Sequence, residues 1–77
     1  MTVRAKFRVD SVQRTKHGVI ETHTIKLRAV ASDSPENAEF WYWTPSGEIV
    51  LQCINPDVAA ELDLGEEFYV DFTRAST

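Results

Sequence analysis

Val3-Arg4-Ala5-Lys6-Phe7-Arg8-Val9 alternates apolar and basic side chains without a break. Successive side chains of a β-strand point to opposite faces, so this pattern predicts a strand with one face in a core and the other in water. Near the other end, Glu66-Glu67-Phe68-Tyr69-Val70-Asp71-Phe72-Thr73 repeats the alternation with acids in place of bases. A chain that begins and ends on such strands is constrained to a sheet with one buried face.

Two further stretches join them. Val19 to Ala31 is rich in β-branched residues and places Ile25, Leu27 and Ala29 opposite Thr24, Lys26 and Arg28. With Gly18 able to take positive φ, it predicts a hairpin with the first strand. A turn centred near His17 would set Phe7 against Leu27 and Val9 against Ile25 inside. Arg8 would then face Lys26, and Lys6 would face Arg28, outside. Glu48 to Ile54 reads as another strand.

Helix signals separate these strands. Ser34-Pro35 with Glu36 and Glu39 predicts an N-cap, a first-turn proline and acids at the positive helix end, with Thr44-Pro45-Ser46-Gly47 as the stop. Asn55-Pro56-Asp57 repeats the start signal ahead of Val58-Ala59-Ala60-Glu61-Leu62 and predicts a second helix of about two turns. The expected order is β-β-α-β-α-β: an α+β fold with a mainly antiparallel four-stranded sheet, open or curled toward a barrel, and two short helices. With 77 residues, 43% of them hydrophobic, the chain supports one domain over residues 1–77. A core this small exceeds the conformational entropy of folding by little, which favours a homo-oligomer.

Composition narrows the chemistry. Cys53 is the single cysteine, so neither an internal disulfide nor a cysteine-based metal site can form within one chain, in keeping with a reducing cytosol. As part of the alternation Ile49, Leu51, Cys53, it reads as a small core residue. His17 in a turn and His23 on a strand have no metal-ligand spacing and read as solvent-facing. No phosphate loop, dinucleotide fingerprint or nucleophile elbow occurs among the three glycines, and Glu66 and Glu67 would point to opposite faces of a strand. These readings predict a protein that is not an enzyme and carries no metal or cofactor. No apolar run suits a signal peptide or a membrane span, which predicts a soluble protein.

Two features point to binding. Phe40, Trp41, Tyr42 and Trp43 are consecutive, and helical steps of about 100° aim them in four directions. One core stripe cannot hold them all. Two should be buried, and the others would offer a flat surface for a partner or for a planar ring. The second feature is a basic stripe of Arg4, Lys6, Arg8, Lys26 and Arg28 on the outer face of the hairpin. Residues 1–30 carry seven Lys or Arg against two acids, whereas residues 31–77 carry ten acids against Arg74. The stripe is either neutralised by Glu67 and Asp71 on a neighbouring last strand or holds a phosphate or carboxylate by bidentate arginine. The acidic remainder argues against a long nucleic acid and against a single-strand nucleic-acid binder.

The segments "VRAKFRVDSV", "KLRAV", "TPSG" and "GEEFYVDFT", in this order over nearly the whole chain, resemble a family of short, mostly uncharacterised tailed-phage proteins. The resemblance implies a protein made in the cytoplasm of an infected bacterium and acting there or in the virion, and it supplies no catalytic residue. On it rests the leading expectation: a non-enzymatic binding protein that sequesters a small anionic, nucleotide-derived host defence signal. In that expectation Trp41, Tyr42 and Trp43 stack on the ligand, and Arg4, Lys6, Arg8 and Arg28 hold its charge. The alternative is a protein-interaction module, either an inhibitor of a host protein or a virion accessory protein, with the aromatic run as its contact.

Overall fold

The structure is a computed structural model and describes residues 2–30, 46–53 and 55–76. The expected helix from Ser34 and the aromatic run lie outside the described residues. Four strands and one helix follow in the order β1 (Thr2–His17), β2 (Ile20–Ala29), β3 (Glu48–Cys53), α1 (Pro56–Ala60) and β4 (Glu67–Thr73). The strands form one antiparallel sheet, ordered β3-β2-β1-β4 and curled as a half-barrel. No helix among the described residues is long and apolar enough to cross a membrane.

The hairpin is longer than its apolar alternation. The polar stretch Gln13 to His17 continues β1 instead of forming a loop, and His17 pairs with Ile20 across a turn of only Gly18 and Val19. Gly18 has φ +63°, the conformation that tight hairpin turns demand and that glycine adopts without strain. This turn sets the register as far as Ser11 opposite Lys26, and one extra residue shifts it beyond. Phe7 lies opposite Ala29, Arg8 opposite Arg28 and Val9 opposite Leu27, which corrects the pairing expected from a turn at His17.

A bulge at Asp10 then changes the phase. Val9 pairs with Leu27 and Ser11 with the adjacent Lys26, so Asp10 is the extra residue. Before the bulge the odd residues Ala5, Phe7 and Val9 are buried; beyond it the even residue Val12 faces the core, opposite Ile25. A bulge bends its strand and increases its twist. Here the loop before β4 locks onto it: Val9 donates its N–H to the Glu66 carbonyl at 2.9 Å and accepts from Gly65 N–H at 3.0 Å. Gly65, at φ +84°, takes the left-handed conformation in that loop that glycine adopts without strain.

α1 starts as its sequence dictates. The Asn55 side chain accepts from Asp57 N–H at 2.9 Å, and Pro56 occupies a position where no N–H is needed. The helix spans five residues rather than two full turns, and its small residue Ala59 reaches the core with Ile25, Leu27 and the odd residues of β1. Ile49, Cys53, Phe68 and Val70 pack around this cluster from the edge strands, so Cys53 is a half-buried thiol beside the core.

Candidate functional site

The outer face of β1 carries Arg4, Lys6 and Arg8 in a row, as the alternation requires. β4 lies beside it in a register that sets Arg4 against Asp71, Lys6 against Tyr69 and Arg8 against Glu67. The acids of the last strand therefore meet the bases of the first. Arg4 donates from Nε and Nη2 to the two Asp71 oxygens at 2.7 and 3.1 Å, and Arg8 donates to Glu67 Oε2 at 2.6 Å. Arg28 donates to the bulge residue Asp10 at 2.8 Å and lies 3.4 Å from Glu48 on β3. The hydrogen bond from Arg4 is the main reason the Asp71 carboxyl sits below its ordinary pKa, against a smaller opposing effect of burial.

Of the two fates open to the basic stripe, pairing with the chain's own acids is the one this arrangement realises. All these pairs are exposed, and ion pairs screened by water add little to stability. They set a carboxylate against each of Arg4, Arg8 and Arg28. An incoming anion must displace a carboxylate to reach Arg4, Arg8 or Arg28. Half-exposed Tyr69 lies among them, its ring 4.9 Å from the Arg4 guanidinium carbon and 5.4 Å from Lys6 Nζ. Trp41, Tyr42 and Trp43 lie outside the described residues.

The bulge creates a second polar group that the sequence reading missed. Beyond Asp10, Arg14 lies opposite His23, and Lys16 lies opposite Glu21, on the face that carries Val12 and Ile25. Arg14 donates to Glu21 Oε1 at 3.0 and 3.2 Å, and His23 Nε2 lies 3.1 Å from the same oxygen. The Arg14 hydrogen bond and charge hold Glu21 below the usual carboxylate range. The His23 side chain is only 12% exposed, contrary to the solvent-facing position expected for it, because it alternates with Ile25 and Leu27 and shares their inner face of β2. With Ala59, Leu62 and Asp63 these residues line an open cleft of about 390 Å³. His17 is the last residue of β1 rather than part of the turn. Among the described residues, no three His, Cys, Asp or Glu side chains converge to hold a metal.

The third feature is the end of the hairpin. β4 pairs with β1 only from Thr2 to Arg8, and β3 pairs with β2 only from His23 to Arg28. Among the described residues, Gln13–His17 and Ile20–Thr22 thus form a two-stranded arm with no third strand beside it. At its tip Val19 is 98% and Ile20 56% exposed. Polar residues within the arm hid it from a sequence reading, because a two-stranded ribbon in water needs no apolar alternation.

No family model, curated protein or solved structure matches the chain.

Proposed function

We propose that this chain is a small non-enzymatic binding protein that engages another protein through its projecting β1–β2 arm. The observation that carries this reading is the apolar tip, Val19 and Ile20, held out by a ribbon that spends Arg14, Lys16, His17 and Glu21 on staying soluble. Exposed large apolar side chains at a projecting tip suit insertion into an apolar groove of a partner. The paired outer face favours it too, since cations already answered by carboxylates bind a further anion less readily. On the resemblance to tailed-phage proteins, the partner is a protein of the infected bacterium or of the virion.

The test is retention of a bacterial protein on the immobilised chain. Burying Val19 is worth about 1.5–3 kcal/mol, so Val19→Asp should weaken a tip-dependent complex by roughly 10-fold to 100-fold. Equal retention by wild type and Val19→Asp removes the tip from the interface and sinks the reading.

A second reading draws on Tyr69, whose ring is flanked by Arg4 and Lys6. A nucleotide-derived anion could stack there and exchange with the Asp71 carboxylate. Native mass spectrometry after incubation with infected-cell extract would then show a small-molecule adduct that Tyr69→Ala loses. Spectra without any adduct count against it.

A further inference from the structure

β3 is an edge strand: β2 covers one side of it, and among the described residues no strand pairs with the other. Edges of soluble sheets are ordinarily protected by proline, lysine, a bulge or an inward charge. Glu48-Ile49-Val50-Leu51-Gln52-Cys53 has none of these, and its pairing with β2 runs without a register shift. Val50 is 50% exposed on the outer face and Leu51 is exposed on the inner one. Apolar residues thus flank an open row of backbone donors and acceptors on both sides of the sheet.

We infer that β3 pairs with β3 of a second copy of this chain, antiparallel about a two-fold axis at Val50. The sequence of the strand is self-complementary in that register and in no other that keeps both inner faces on one side so well. Residues directly opposite across antiparallel strands share a face. Val50 meets Val50 of the second copy on the outer face. Ile49 meets Leu51, and Leu51 meets Ile49, on the inner face. Glu48 meets Gln52, whose amide can donate to the Glu48 carboxylate. The result is an isologous dimer with a continuous eight-stranded sheet, ordered β4-β1-β2-β3 in one copy and mirrored by the two-fold in the other. Shifting the axis to Leu51 would instead oppose Val50 to Gln52 and lose the outer apolar pair. The inference is independent of the arm, which projects from the β1–β2 turn.

Two experiments bear on it. Sedimentation velocity should show a dimer for the wild type. Val50→Lys, which sets two lysines opposite each other next to Lys26, should be monomeric with an unchanged far-ultraviolet spectrum. Val19→Lys adds the same charge at the arm tip and should remain dimeric. Register is tested by oxidation of Val50→Cys in a Cys53→Ala background: opposed cysteines should cross-link the dimer. Gln52→Cys in that background should not, because four residues of strand, roughly 14 Å, separate the two copies of this position. A wild type that is monomeric at every concentration overturns the inference. So does a Val50→Lys variant that stays dimeric, or equal cross-linking through positions 50 and 52.

Discussion

Ile25 is the residue on which the account of the fold is most exposed to test. It is 0% exposed, opposite Val12 on one side and Leu51 on the other, and shares its cluster with Ala59 of α1. Ile25→Ala removes three carbons beyond Cβ, worth about 0.8 kcal/mol each in transfer, or ~2.4 kcal/mol. A cavity term follows because the flanking strands, hydrogen-bonded on both sides of β2, cannot close on the gap; comparable substitutions cost about 2–5 kcal/mol, and we expect ~3 kcal/mol here. Against a total stability of roughly 4–12 kcal/mol for a chain of this size, that is a quarter or more of what holds it folded. Urea unfolding followed by tryptophan fluorescence should show a midpoint shift at constant slope, and the melting temperature should fall by roughly 12–24 °C. Lys26→Ala, one residue along and exposed on the opposite face, should change stability by no more than about 0.5 kcal/mol. A cost below about 1 kcal/mol for Ile25→Ala, or equal costs at the two positions, would refute the face assignment of β2.

Other outcomes follow from the same geometry. The phase change at Asp10 predicts that Val12→Asp destabilises by about 2 kcal/mol or more while Gln13→Asp is nearly neutral, since only position 12 faces the core; the reverse order in chemical denaturation would mean an unbulged strand. Gly18→Ala should cost about 1–2 kcal/mol, the strain of an L-residue at φ +63°, because a Cβ there meets nothing within 4 Å; a neutral result would show that the turn is not built on positive φ. Asp71 and Glu21 both have pKa values lowered in the folded protein from ordinary values of 3.8 and 4.5. The unfolded chain therefore takes up protons first on acidification. The stability these carboxylates add is present above their unfolded pKa values and is lost as the pH falls below about 4.5 and through the lowered folded values. Asp71→Asn with Glu21→Gln should flatten the acid limb of the stability profile, and salt should shrink the difference because both pairs are exposed; an unchanged limb would remove these pairs from the acid response.

Much of the sheet was legible because its residues obey period 2 where one face is buried. Val3 to Val9, Ile25 to Ala29 and Phe68 to Phe72 each announce their inner and outer members, and the meeting of Arg4 and Arg8 with Asp71 and Glu67 follows once β1 and β4 are neighbours. Asn55-Pro56 was equally plain, since capping chemistry is local. The arm and the cleft were not, for a different reason. In β1 the apolar series runs Val3, Ala5, Phe7, Val9 and then Val12, and this spacing of three is the trace of the bulge. Read as the end of a strand, it hides the continuation to His17. His23 was legible as an inner residue from its spacing to Ile25 and Leu27; what the bulge hid is that Arg14 shares that face and lies opposite it. The backbone bonds from Val9 to Gly65 and Glu66, which hold the bulge in place, join positions far apart in the chain and leave no local pattern.

The proposed contact of the arm tip with a protein partner can be read by site-specific photo-crosslinking. A photoreactive residue placed at Val19 in bacteria producing the chain should yield one discrete adduct heavier than the protein or its dimer. The same residue at Thr24, on the sheet near β3, should yield none of that mass. An adduct from Thr24 but not from Val19, or the absence of any adduct from Val19 in uninfected and phage-infected cells alike, would contradict the account.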